Sequence, residues 1–146
     1  MNFERINDFV SKMEVRELGS FGNDLIQLNE LMEKDQETVE NIKLIDIEYI
    51  KLKEKISEFY KNINLSGNKR NEIEIIKNNF IKSELDKIIM GYYLFNQELT
   101  NNIFGYMRIV NYWYPEQFCE NNYDAKQRFI RLIIKPFIEY LEEKQK

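Results

Sequence analysis

One apolar pattern constrains the fold of this 146-residue chain more than any other feature. From Ile42 to Ile63, apolar residues recur at alternating steps of three and four residues, which is the heptad spacing of a helix that packs along another helix. The members of this heptad seam are Ile42, Ile45, Tyr49, Leu52, Ile56, Phe59 and Ile63. A straight helix drifts by about 20° per heptad against such a seam, so a partner helix is expected to cross it at a shallow angle of roughly 20°.

The helical pattern begins well before the seam, near residue 24, and no Gly or Pro interrupts residues 23–65. The region 24–63 therefore forms either one helix of about 40 residues, about 60 Å long, or two helices that separate at the polar stretch 33–38. We favour the break, because a single helix of that length is long for a domain of this size.

Amphipathic periodicity also predicts helices along nearly all of the remaining chain. The first of these helices covers residues 3–18 and ends at Gly19. Another runs from about Lys69 to Tyr92, and Gly91 within it either weakens the helix or allows a close contact with a second helix. A third covers about 100–110.

The last helix is predicted to begin with Asp124 as its N-cap, with Gln127 completing a capping box. Its apolar face is so wide that we expect this C-terminal helix to be largely buried. Pro136 should kink it near Leu132 or split it at Lys135. The sequence thus predicts an all-α fold, a compact bundle of five to six helices in a single domain covering residues 1–146.

The absence of histidine excludes most common catalytic and metal-binding arrangements. Serine and cysteine nucleophiles need an imidazole base, and the usual zinc and di-iron sites of helical proteins need imidazole ligands. Cys119 is the single cysteine, so no intrachain disulfide can form; we predict a packed thiol, because nothing basic is close to it in the sequence. The glycines form no phosphate-binding loop. We therefore expect no catalytic residue, no cofactor and no metal, with carboxylate or tyrosine chemistry as a less favoured alternative.

The sequence also lacks an apolar run long enough to span a membrane, and its first residues do not resemble a signal peptide. We expect a cytoplasmic protein that does not act at a membrane. The net charge of −4 argues mildly against nucleic-acid binding.

Three groups of residues are candidates for an interaction surface. Glu30, Glu33, Glu37 and Glu40 would form an acidic row on one helix face, facing either a basic partner or solvent. Arg128, Arg131 and Lys135 form a basic strip that either binds phosphates or pairs with acids of the same bundle. The third group is aromatic and consists of Tyr112, Trp113, Tyr114 and Phe118. Because these rings lie so close together in the sequence, we expect at least one of them to be exposed, although packing of all of them in the core is the alternative.

These features favour a non-catalytic protein-binding module. The size of the chain, its charge and its high content of Asn, Ile and Lys fit a phage or bacterial inhibitor, an anti-defence factor or an immunity-type factor. The alternative is a protein that binds single-stranded nucleic acid through the basic strip beside the aromatic residues. A homodimer that pairs through the Ile42–Ile63 seam also remains open.

Overall fold

The computed structural model describes residues 3–61, 78–99, 110–111, 113–114 and 119–144, and these residues form an all-α bundle without strands. The elements in chain order are α1 (Phe3–Val15), a 3₁₀ turn (Leu18–Ser20), α2 (Phe21–Glu33), α3 (Gln36–Lys61), α4 (Glu84–Leu99), α5 (Asn122–Phe129), a π-helical segment (Ile130–Ile134) and α6 (Lys135–Lys144). The predicted fold class is therefore confirmed.

The long apolar region is divided into two helices, as the sequence favoured. α2 ends at Glu33 and α3 begins at Gln36. Asp35 lies at the break, where its carboxylate accepts a 3.1 Å hydrogen bond from the backbone N–H of Glu37. This bond satisfies one of the N–H groups that the first turn of α3 would otherwise leave unpaired.

The described part of the heptad seam packs inside the chain. Ile45 and Tyr49 are buried, and Ile42 and Leu52 are partly buried against the same core. α3 contacts α2, α4 and α6 through this face. The side chains of Ile56 and Phe59, and the whole of Ile63, lie outside the described residues.

The helix predicted from Lys69 to Tyr92 is not continuous. The chain leaves helical geometry at residues 81–83, and α4 begins at Glu84. Ser83 accepts a 3.1 Å hydrogen bond from the N–H of Asp86, while the Asp86 carboxylate accepts one of 3.1 Å from the N–H of Lys82. These two bonds are a variant of the capping box, and they start a new helix within a run of apolar periodicity. The first part of this predicted helix, up to residue 77, lies outside the described residues, as do residues 100–109 of the helix predicted at about 100–110.

Gly91 does allow a close helix contact. A Cβ atom at this position would lie 3.0 Å from Cδ1 of Ile133 and 3.2 Å from Cζ3 of Trp113. α4 therefore approaches the π-helical segment more closely than a larger residue would permit.

The last helix begins earlier than predicted. Its N-cap is Asn121, whose side chain accepts a 2.8 Å hydrogen bond from the N–H of Asp124 and donates one of 3.0 Å to the Asp124 carboxylate. Asp124 is therefore the third helical residue, and Gln127 does not complete the box. Gln127 instead donates to the backbone carbonyl of Glu14.

Pro136 is accommodated by the π-helical segment that precedes it. The N–H of Lys135 donates to the carbonyl of Ile130, five residues back, and regular α-helix resumes at Lys135. Proline has no N–H to donate and its ring clashes with a carbonyl in the preceding turn, so a widened turn directly before it removes the conflict. Phe129, Ile133 and Phe137 are buried along this stretch, which confirms the central position expected for it.

We expect Asn121→Ala to lower the free energy of unfolding by about 1 kcal/mol, because the first turn of α5 loses its cap. Urea denaturation followed by circular dichroism measures this change. Asn23, an exposed amide within α2, provides the control, since Asn23→Ala removes no cap and should change stability by less than about 0.5 kcal/mol. Equal effects of the two substitutions would contradict the assignment of the cap.

Candidate functional site

An ion pair with a buried carboxylate and a half-exposed guanidinium connects the start of α2 to the segment that precedes it. Asp24 is 1% exposed, and its Oδ1 lies 2.7 Å from Nη1 of Arg16. Lys126 of α5 is 0% exposed, and its ammonium donates a 2.6 Å hydrogen bond to the carbonyl of Arg16. Burial lowers the pKa of Lys126, and the carboxylates of Asp24 and Glu14 oppose this shift. Asp24 therefore pairs directly with Arg16, and its charge acts on Lys126 without a direct ion pair between them; its second oxygen, Oδ2, is buried and accepts no hydrogen bond from the described residues. We call Asp24, Arg16 and Lys126 the buried charge network.

Glu14 extends this network toward the C-terminal helix. Its carboxylate forms an ion pair with Lys135, and its carbonyl accepts a hydrogen bond from Gln127. The end of α1 is thus attached to both α5 and α6. This pairing with an acid of the same bundle is the alternative that the sequence left open for Lys135.

The other two residues of the basic strip line a polar pocket of about 470 Å³, called here the Arg128–Arg131 pocket. Arg128 is partly buried and Arg131 is exposed. The lining residues are Glu14, Cys119, Asp124, Gln127, Arg128 and Arg131. Two residues of the predicted strip therefore share a concave surface, while Lys135 is held at its ion pair.

Cys119 is buried, as predicted, but basic groups do lie near it in space. Burial raises the pKa of its thiol, and the charges of Arg128 and Arg131 oppose the shift, as does a hydrogen bond from Arg128. The thiol is therefore protonated at neutral pH, which makes it a poor nucleophile. Asn111 fixes the backbone of Cys119: its amide oxygen accepts a 2.7 Å hydrogen bond from the N–H, and its amide nitrogen donates one of 3.1 Å to the carbonyl.

The two described residues of the aromatic group lie in the core. Trp113 is 1% exposed and Tyr114 is 7% exposed. The Tyr114 hydroxyl donates a 3.3 Å hydrogen bond to Glu84, and the Lys87 ammonium lies 4.8 Å from the centre of its ring. These two rings do not form the exposed patch that the sequence suggested. Tyr112 and Phe118, the other members of that prediction, lie outside the described residues.

The acidic row is divided between two helices. Glu30 and Glu33 belong to α2, and Glu37 and Glu40 belong to α3. All four are exposed, but the break at residues 34–35 means that they do not form the continuous row expected of one helix.

An exposed apolar stripe continues from the second pair of glutamates along α3. Leu44, Ile47 and Ile50 are 57%, 54% and 52% exposed. Together with Glu37 and Glu40 they form what we call the outer face of α3. Sequence reasoning missed this stripe because it considered only the heptad seam, although the three-residue spacing of these apolar residues was a signal for a second face.

Nothing in the described part of the chain indicates a metal centre or a membrane-spanning element. No group of three or more acidic or cysteine side chains there could hold a metal ion. No helix within the described ranges combines the length and the apolar character that crossing a bilayer requires. Comparisons of the chain with protein-family models, with curated proteins and with solved structures found no match.

Proposed function

We propose that the chain is a non-catalytic protein-binding module that binds its partner on the outer face of α3. The partner is an amphipathic helical segment that carries apolar side chains together with Lys or Arg. The observation that carries this proposal is the exposed apolar stripe of Leu44, Ile47 and Ile50, next to two exposed glutamates on the same helix.

The apolar stripe supplies the attraction. Single exposed apolar residues are ordinary, but three of them at three-residue spacing form a continuous patch. Each of the three leaves about half of its side chain in water, so covering it would contribute roughly 1 kcal/mol, about half the value of burying a whole side chain. Anchors spaced in this way are typical of contacts between a helix and an apolar groove or a second helix.

The flanking charges indicate the chemistry of the partner. Glu37 and Glu40 are exposed one to two turns before Leu44, whereas Lys43 and Lys51 are exposed beside the stripe itself. The cationic groups of the partner are therefore expected opposite the two glutamates rather than along the whole stripe. A second copy of the chain fits less well. In an antiparallel pair centred on Ile47, Glu40 would lie opposite Glu54 of the other copy. The described side chains of the heptad seam already pack within the chain's own core.

The alternative of single-stranded nucleic-acid binding receives little support from this geometry. That function needs exposed rings beside free cations, whereas Trp113 is buried and Lys135 is paired with Glu14. A phage or bacterial inhibitor or immunity-type factor, acting in the cytoplasm, is one kind of protein that works through such a docking face. Its support is the composition of the chain.

The test uses a fluorescent synthetic peptide of Leu and Lys with a helical apolar face. We expect saturable binding in fluorescence anisotropy, and we expect Ile47→Ser to weaken it about fivefold, which corresponds to the roughly 1 kcal/mol that covering this side chain contributes. Val15→Ser is the matched control, because Val15 is exposed but lies on α1. Glu37→Gln with Glu40→Gln should weaken binding and reduce its dependence on salt.

Two further peptides distinguish specific docking from adhesion to an acidic protein. A scrambled peptide of the same composition has no apolar face, and a Leu and Glu peptide reverses the charge; both should bind poorly. The proposal is overturned if the scrambled peptide binds equally well or if Ile47→Ser has no effect. Since Ile47 is exposed, circular dichroism should show that the variant keeps its fold.

A further inference from the structure

We propose that the outer face of α3 selects its partner by the order of the charges around the apolar stripe. The partner is a helix whose apolar centre is bounded on each side first by a carboxylate and then, about one turn further out, by Lys or Arg. The order of charges matters only if the partner docks on this face, so the inference rests on the proposed function.

The exposed charges of α3 are arranged symmetrically about Ile47. Lys43 and Lys51 lie four positions before and after it, and Glu40 and Glu54 lie seven positions before and after it. All four charged side chains are exposed, and residues spaced by four and seven fall on the same side of an α-helix. Along this side of α3 the order is therefore acid, base, apolar stripe, base, acid, within about 21 Å of helix. We call this arrangement the charge order.

A helix that covers the stripe brings its own side chains opposite these charges. Carboxylates next to its apolar centre would face Lys43 and Lys51, and cationic groups further out would face Glu40 and Glu54. Since the charge order is the same from both ends, the match holds whether the partner runs parallel or antiparallel to α3. A partner with the reverse order would place like charges together at four positions, which disfavours it.

A second copy of the chain has the wrong charge order for this face. In an antiparallel pair centred on Ile47, Lys43 would lie opposite Lys51 of the other copy, in addition to the opposed glutamates. In a parallel pair in register, every charged residue would face its own counterpart. Both arrangements oppose like charges, so the charge order favours a different chain as the partner.

The same charges can also pair within α3. Glu40 and Lys43 are three residues apart, as are Lys51 and Glu54, and side chains at this spacing are neighbours on one helix. Such exposed pairs contribute little in water, so a partner's charges can compete with them. Exchanging the two members of each pair separates the two roles, because it keeps both pairs within the helix but reverses the order that a partner meets.

The experiment compares two alanine-based peptides of about 21 residues, long enough to form helix in part. Each carries three Leu at its centre, two Glu and two Lys, so their composition and net charge are identical. In the complementary peptide, Glu lies four positions and Lys seven positions from the central Leu; in the exchanged peptide, Glu and Lys trade places.

The complementary peptide should bind the full chain at least about fivefold more tightly than the exchanged peptide in fluorescence anisotropy at low ionic strength. The ratio should fall below about twofold in 1 M salt, where the Debye length is about 3 Å. Ile47→Ser should weaken the binding of both peptides, because both use the apolar stripe.

The deciding variant combines Glu40→Lys, Lys43→Glu, Lys51→Glu and Glu54→Lys. It keeps the net charge and the apolar stripe, and circular dichroism should show that it keeps its fold, since all four positions are exposed. We expect this variant to prefer the exchanged peptide by at least about fivefold.

The matched control is Asp8→Lys with Lys12→Glu, which exchanges two exposed charges on α1 and should leave the preference for the complementary peptide unchanged. Equal binding of the two peptides, with Ile47→Ser still weakening both, would overturn the charge order while leaving the docking face in place. The same conclusion follows if the fourfold variant keeps the original preference. If neither peptide shows binding that depends on Ile47, the charge order fails together with the proposed function.

Discussion

Replacing Trp113 with alanine is expected to lower the free energy of unfolding by about 3–5 kcal/mol, the usual range for removing a large aromatic side chain from a core. Trp113 is among the largest fully buried side chains described, and its ring would contact a Cβ atom placed at Gly91. The substitution therefore opens a cavity where α4 and the π-helical segment approach each other. Urea denaturation monitored by circular dichroism measures the loss.

Two comparisons separate this effect from a general sensitivity to mutation. Trp113→Phe keeps part of the ring and should lose less than half as much stability. Val15→Ala changes a side chain that is mostly in solvent and should stay within about 0.5 kcal/mol of the unchanged chain. If Trp113→Ala were as stable as Val15→Ala, the ring could not lie in the core. Loss of binding in a Trp113 variant would consequently report unfolding rather than a lost contact.

The broad architecture could be predicted because it depends on patterns within short stretches of sequence. The heptad spacing around Ile45 and Tyr49 requires one buried helix face, whichever element covers it. The break between α2 and α3 could be predicted from its polar sequence, and Asp35 provides the local hydrogen bond that makes a new helix start there.

Helix boundaries were less predictable, because several residues near each end can cap a helix. Asn121 and Asp124 are both good N-caps, and only the observed bonds show that Asn121 has this role. Ser83 begins α4 inside apolar periodicity that would equally suit a continuous helix. In such cases the side-chain hydrogen bonds of a single turn determine where the helix begins, and apolar periodicity carries no information about those bonds.

The candidate sites depend on contacts between distant parts of the chain, which local patterns do not encode. Lys126 is buried against the carbonyl of Arg16, 110 residues away in sequence, which no local pattern indicates. Cys119 has no basic neighbour in sequence, but the turns of α5 and the π-helical segment bring Arg128 and Arg131 to it. Similarly, the outer face of α3 could be recognised as exposed only once the described side chains of the heptad seam were seen to pack in the core.

The second large effect is expected at the buried charge network, where Asp24→Asn should lower the free energy of unfolding by about 2–4 kcal/mol. Removing the carboxylate charge leaves nearby cations less compensated; these are Arg16, its direct partner, and the fully buried Lys126, whose pKa the charge of Asp24 raises. We expect a loss toward the lower end of the range usual for buried ion pairs. The side chain of Arg16, the direct partner of Asp24, is 45% exposed, so water can partly solvate its charge after the substitution. Asp8→Asn, at an exposed position on α1, should change stability by less than about 0.5 kcal/mol.

A double-mutant cycle with Lys126→Met tests whether Asp24 and Lys126 act as a unit. Methionine keeps much of the buried side-chain volume but removes the ammonium, so the charge that Asp24 compensates is no longer there. Asp24→Asn should then cost at least about 1 kcal/mol less than it does in the unchanged chain. Urea denaturation of the four proteins gives this coupling directly. An equal cost in both backgrounds would show that Asp24 stabilises the fold only through Arg16, and that Lys126 is held by the Arg16 carbonyl alone.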